Sequence, residues 1–486
     1  MKITKIIALL LCVVFVGAIF AACGDKTPDD TTNSSTTTTG DTSATTDADG
    51  YILDELPDLD FENRTMTILQ WKTYTAEFNT EERSGDAVSI ALYDRISNVE
   101  SRLNCNIEII EEPGDWDRRN SFVSLAAKSI NAGDGEYDLI SQYSMSASIG
   151  TMQDLYQDIS QLRYVDLEKP WWPDDLAKST SINGKIYFVS GDIAPTLIYN
   201  LFVIYFNQNM LNKLGYESPY GLVDEGKWTY DKLKEMTAGL YEDLNNDNVA
   251  NGDDQYGMIL NYTVLVDAFQ YAGGINIIDV GNDGVYQLSP SFGSEKAATY
   301  LADLCEYIHG SNDVFINSNN NNSFLNGNTL FLAGTIDNGV KNVSAVDFDY
   351  GIVPMPKYDE QQDGYNSLVG FAYSMYTVPV DVKNAEQSGA LLEALASDAY
   401  RNITPEIFEV ALKYRYSLNK EDSRMYDIVR DGIVFDVGRN YADALGSAFG
   451  LFRNAVVNNN PNWASIYASN KDSIENKLQD IINKIG

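Results

Sequence analysis

The amino-acid sequence predicts an α/β fold: a mainly parallel sheet with helices on both faces. Three observations predict it. Short apolar runs that read as buried strands recur at residues 66–69, 107–110 and 137–141. Helical periodicity fills the gaps, with Leu92, Ile96, Val99 and Leu103 on one face and Phe122, Leu125, Ala126 and Ile130 on another. Strand and helix alternate about every 30 residues, the rhythm of βαβ units.

The chain opens with an export signal. Lys2 and Lys5 precede an uncharged apolar run over residues 6–22 that ends in small residues. Ala21, Ala22 and Cys23 then resemble a bacterial lipobox. Residues 1–22 are therefore expected to be removed and Cys23 acylated, anchoring an exported protein to the outer face of the cell membrane. Phe20 stands where such motifs usually carry Leu; a plain cleaved signal or a retained membrane helix are the alternatives. Residues 23–50 hold this Cys and a Thr/Ser/Asp-rich stretch too poor in apolar side chains to offset the entropy of ordering. That stretch reads as a flexible tether.

Folded sequence begins near Tyr51. Asp86 is the candidate N-cap of the first helix. Ligands in an open parallel sheet sit beyond the carboxyl ends of the strands. Those ends carry Trp71 with Glu77 just after it, Trp116, and the run Gln142, Tyr143 and Ser144. The chain closes on an amphipathic helix with Ile474, Leu478, Ile481 and Ile485 on one stripe.

Composition narrows the function. Acidic residues outnumber basic ones 70 to 34, a formal charge of −36, and no basic patch interrupts them. Nucleic acid and anionic lipid surfaces are excluded, because both need clustered Lys and Arg. After export and acylation only Cys105 and Cys305 remain, with no metal spacing; each reads as a buried free thiol, with a disulfide the alternative. His309 is the single histidine, which removes His-based triads and His-rich metal sites. No nucleophile elbow or phosphate-binding loop stands in a supporting context. Trp171, Trp172, Trp228 and Trp463 are expected to pack in the core.

One loop carries a metal pattern. Asp243, Asn245, Asp247, Asn251 and Asp254 fall at the first, third, fifth, ninth and twelfth positions of an EF-hand register, with the Val249 carbonyl at the seventh. The sixth position is Asn248 where such loops have Gly, and the twelfth is Asp, not Glu. A structural Ca²⁺ is the expectation; a solvated Asn/Asp turn is the alternative.

The sequence after the linker resembles the extracellular solute-binding proteins of family 1, the maltose-binding-protein-like group. The resemblance runs through Ile182-Asn183-Gly184-Lys185-Ile186-Tyr187, Tyr205-Phe206-Asn207, and Leu211-Asn212-Lys213-Leu214-Gly215-Tyr216, closing with Pro219, Trp228 and Leu233. Ala272-Gly273-Gly274, Phe348-Asp349-Tyr350-Gly351 and Leu368-Val369-Gly370 continue it in order. It implies a two-lobed, type II periplasmic-binding-protein-like fold, each lobe a mainly parallel sheet flanked by helices. Lobe one would span 51–190 plus 315–367 and lobe two 191–314 plus 368–486.

The resemblance further implies a monomeric binding protein, not an enzyme. It would capture a small solute, foremost a sugar or oligosaccharide, and deliver it to the permease subunits of an ABC importer. A non-sugar solute or a sensor ligand is the alternative, and a surface glycosidase the remote one. The expected ligand residues are Trp71, Glu77, Trp116, Tyr143, Asp337 and Asn338 from lobe one, with Asp192, Tyr271, Gly273, Gly274 and Gly370 from the hinge and lobe two.

Overall fold

The computed structural model describes residues 45–48, 50–72, 76–79, 81–260, 264–281, 284–316, 321–413 and 420–485. The expected signal, Cys23 and most of the tether lie outside these residues. Residues from Thr46 onward form one compact unit. Among the described residues no helix is long and apolar enough to cross a membrane.

Thirteen strands are described: β1 Arg64–Trp71, β2 Cys105–Glu112, β3 Leu139–Tyr143, β4 Phe202–Asn207, β5 Tyr256–Leu260, β6 Ile278–Val280, β7 Tyr286–Leu288, β8 Val314–Ile316, β9 Thr329–Thr335, β10 Tyr350–Pro354, β11 Ser367–Leu368, β12 Ser374–Thr377 and β13 Ile433–Val434. Two sheets dominate, in the orders β12-β3-β1-β2 and β10-β4-β9-β5-β8. Each has a parallel trio with its first strand in the middle: β2-β1-β3 in one and β8-β5-β9 in the other. Beside each trio lies one antiparallel strand, β12 or β4. The chain reaches each of those strands as it leaves the other sheet. One further position flanks each antiparallel strand: β10 pairs with β4, and Val189 bridges to Tyr376 in β12. Two α/β lobes built on one plan, joined by exchanged strands, are the result.

This pairing corrects the lobe boundaries read from sequence. Segment 315–367 was expected in lobe one, yet β9 and β10 lie in the second sheet, and β12, expected in lobe two, completes the first. The second crossing therefore falls between Pro354 and Ser374. An apolar run shows that a strand is buried but not which sheet buries it.

Local signals account for the elements around the crossings. Asp86 caps the helix Ala87–Leu103 by accepting from the Ser89 amide at 2.8 Å. Ile182 and Lys185 pair across Asn183 and Gly184, which hold φ of 52° and 77°, the left-handed pair that a type I′ turn needs. The side chain of Asn207 accepts from the Met210 amide and starts the helix Gln208–Leu214, which Gly215 ends. Pro219 opens the helix Pro219–Asp224. Leu125, one of the four apolar residues that marked the helix Arg119–Ala132 in the sequence, is 37% exposed, and the buried stripe runs through Phe122, Val123, Ala126 and Ile130. Cys105 and Cys305 are buried free thiols, and the four tryptophans expected in the core are buried there.

Candidate ligand cleft

The carboxyl ends of β2 and β3 and the second crossing bring aromatic rings to one place. Trp116, in the loop after β2, is 43% exposed. The Arg119 guanidinium lies over its ring, 4.7 Å from the centroid, and the Phe371 ring centroid is 6.1 Å away. Phe371 meets Phe449 edge-on at 5.0 Å. The row Trp116–Phe371–Phe449 thus joins three segments remote in sequence. The Ser144 hydroxyl, just past β3, fixes the Phe371 carbonyl at 2.7 Å.

The charges around this row are paired. Arg119 makes a two-pronged contact with Asp443, at 2.9 and 3.0 Å. Arg439 lies 3.9 Å over Phe371, donates to Asp267 at 2.9 Å, and holds the Val369 carbonyl at 3.1 Å. Arg453 shares the same carboxylate at 3.1 Å. Burial pushes Asp267 above the usual carboxylate range, and the two guanidinium groups pull it back. Asp436, also buried, is pushed up to about 6 by burial despite bonds from the Ile277, Gly438 and Ile278 amides and the Tyr271 hydroxyl.

The residues expected at the ligand divide under this geometry. Trp116 offers an exposed ring, and Gly370 sits beside Phe371 on the crossing, its amide bonded to the Asn200 carbonyl at 2.9 Å. Tyr143 is buried, edge-on to Trp71 at 5.3 Å, and within electrostatic reach of Arg119. Trp71 is fully buried with its indole N–H on Ser374 at 2.8 Å, so it supports Tyr143 and has no face open to a ligand. Tyr271 is likewise buried, its hydroxyl spent on Asp436. Glu77 is enclosed among hydroxyls.

Asp192 is buried against Thr404 and Arg430, and it lines a cavity of about 310 Å³ with Trp171, Trp172 and Arg430. Gly273 is needed by packing, since a Cβ there would meet the Tyr300 ring at 2.5 Å. Gly274 is needed by its φ of +69°. Asp337, paired to Lys341 at 2.9 Å, and the buried Asn338 lie together just past the carboxyl end of β9.

The sequence reading missed Arg119, Phe371, Asp443 and Phe449. Phe371 had a signal, because it directly follows the Gly370 that was singled out.

The loop from Asp243 to Asp254 is closed at its base by pairing of Glu242 with Gln255. Asp243 accepts from the amides of Asn246, Asp247 and Asn248, and Asn246 and Asn248 take the left-handed turn at φ 62° and 60°. Asn245 and Asn251 reach the Asp247 carboxylate, both at 3.1 Å, and Asn251 also reaches the Val249 carbonyl at 2.9 Å. Asp254 is buried and ties the Leu244 and Asn251 amides, which holds the loop shut. Among the described residues no three His, Cys, Asp or Glu side chains converge as metal ligands. Asp243, Asn245, Asp247, Asn251 and the Val249 carbonyl hold one another by hydrogen bonds, with the side-chain nitrogens of Asn245 and Asn251 turned to the Asp247 carboxylate.

Solved structures share this architecture. The cyclic α-maltosyl-1,6-maltose binding protein from Arthrobacter globiformis matches with a TM-score of 0.57 at 13% identity, over 86% of this chain and 99% of that one. An extracellular solute-binding protein from Staphylococcus aureus, in complex with maltose, matches with a TM-score of 0.56 at 12% identity, over 89% and 98%. UgpB from Mycobacterium tuberculosis, in complex with glycerophosphocholine, matches with a TM-score of 0.54 at 14% identity, over 86% and 99%. This chain has the two-lobed solute-binding fold. No protein-family model matches it, and no curated protein does. The first two of these neighbours are named as binding proteins. In that fold the aromatic row from Trp116 to Phe449 lies where the carboxyl ends of the first sheet meet a crossing.

Proposed function

We propose that this protein is an exported solute-binding lipoprotein that captures a carbohydrate between its lobes and passes it to an ABC importer. The observation that carries the reading is the exposed Trp116 ring at the head of an aromatic row, on a fold shared with sugar-binding proteins. Flat rings cover the apolar faces of sugars, while polar groups at the edges take the hydroxyls. The pairing of Arg119, Arg439 and Arg453 with carboxylates favours a neutral ligand over an anionic one. The lipid anchor at Cys23 and the permease partner belong to this proposal, as does a Ca²⁺ held by Asp243, Asn245, Asp247, Asn251 and the Val249 carbonyl. The metal's part would be to brace its loop; no catalysis is assigned to the protein.

A thermal-shift screen across oligosaccharides and non-sugar solutes tests the reading. A ligand that binds only the folded state raises stability by RT ln(1 + [L]/Kd). Oligosaccharides should raise the melting temperature in a saturable way. A rise with glycerophosphodiesters or peptides alone would replace the carbohydrate by another solute, the reading that the glycerophosphocholine-binding neighbour favours.

A further inference from the structure

Glu77 leaves the strand end and enters the interior between the two crossing segments. One carboxylate oxygen accepts from the Thr196 and Ser374 hydroxyls, the latter at 2.8 Å; the other accepts from the Tyr376 hydroxyl at 3.2 Å. Thr196 Oγ1 in turn accepts from the Ser374 amide at 3.0 Å. Thr196 belongs to the first crossing and Ser374 opens β12, where the second crossing ends. Arg95, fully buried on the helix Ala87–Leu103, donates to the Ile193 carbonyl at 3.0 Å and to the Glu77 carbonyl.

Beyond this point the crossings hold each other. Leu201 bridges to Val369, Gly370 donates to the Asn200 carbonyl, and Asn200 Nδ2 donates to the Ala372 carbonyl at 2.9 Å. The next residue, Phe202, already lies in the second sheet.

Taking a carboxylate out of water is costly, and burial pushes Glu77 above its ordinary range against the pull of the hydroxyls and Arg95. An apolar side chain would fill the space more cheaply. It could not hold two separate segments in fixed directions.

We propose that Glu77 is the positioning residue of the hinge, pinning Thr196 and Ser374 to the first lobe so that lobe rotation is confined to residues 197–201 and 366–373. The inference rests on the two-sheet fold and on no ligand assignment. It replaces a ligand contact by a role exerted through the crossings.

The test is the interlobe distance in the ligand-free protein. Spin labels at Lys128→Cys, on the helix Arg119–Ala132, and Lys213→Cys, on the helix Gln208–Leu214, report it by pulsed electron resonance. The native Cys105 and Cys305 are buried, and burial pushes the Cys105 thiol up to about 12, so neither competes for label. Glu77→Gln puts an N–H donor among hydroxyl donors, and Thr196→Val removes one hydroxyl at constant shape. Both should shift and broaden the distance distribution. Leu304→Ala, buried on the second-lobe helix Glu295–His309, should lower the melting temperature and leave the distribution unchanged. Should Glu77→Gln fail to fold, Thr196→Val carries the test. A wild-type distribution in Thr196→Val, with or without a lower melting temperature, would overturn the proposal.

Discussion

Raising the pH should destabilise this protein through one buried acid, Glu393. It lies on the helix Ala385–Asn402 and accepts from the Trp172 indole at 3.3 Å. Burial pushes its carboxyl up to about 8 from an ordinary 4.5, against the pull of the Trp172 and Trp171 indoles and the Asp166 amide. Between those two values the folded protein holds a proton that the unfolded chain has released. Stability therefore falls as pH rises from 4.5, and the loss is complete once pH passes the folded value near 8. At about 1.4 kcal/mol per unit, the whole window is worth on the order of 5 kcal/mol. With an unfolding entropy of roughly 2 cal/mol/K per residue, a chain of this length loses about 1 °C of melting temperature per kcal/mol. The expected fall is therefore about 5 °C across the window. Glu393→Gln keeps an acceptor for the indole and carries no charge. Scanning fluorimetry of both proteins from pH 5 to pH 9 isolates the acid, since Asp436 and every other titrating group cancel in the difference. The variant should match the wild type at pH 5 and exceed it increasingly toward pH 9. Parallel pH profiles would refute the argument that Glu393 is held neutral.

Trp116→Ala should weaken carbohydrate binding by about 1–3 kcal/mol, by analogy with aromatic stacking on nucleic-acid bases. Its melting temperature should stay put, because the ring is exposed; calorimetry and fluorimetry check the two halves. Tyr271→Ala should do the reverse, losing about 3–5 kcal/mol of stability through a buried cavity and the stranded Asp436, read from denaturant unfolding. Chelation should lower the melting temperature by about 3 °C if Ca²⁺ is present at a hundredfold excess over its Kd, and Asp247→Ala should abolish that response; a wild type indifferent to chelator would remove the metal. Cys23→Ala should move the protein from the membrane fraction to the soluble one, as fractionation and blotting would show.

What the sequence disclosed was local, and what it hid was not. The Asp86 cap was legible because it depends on a few neighbouring backbone amides. The parallel trio of the first lobe was legible from its spacing. The second crossing was misplaced because β9 finds its partners β4 and β5 far along the chain. Trp71 was chosen for lying at a strand end. An aromatic residue at the end of a strand gives no sign of which face it takes, since successive side chains alternate. The contact between Arg119 and Asp443 joins positions more than three hundred residues apart, and no periodicity in either segment announces it.

Small-angle scattering with and without the oligosaccharide that most raises the melting temperature tests the central claim directly. A sugar bound between two lobes can favour closure only by touching both, so the radius of gyration should fall at saturation and return when the sugar is washed out. Saturation confirmed by calorimetry with an unchanged scattering curve would contradict capture between the lobes.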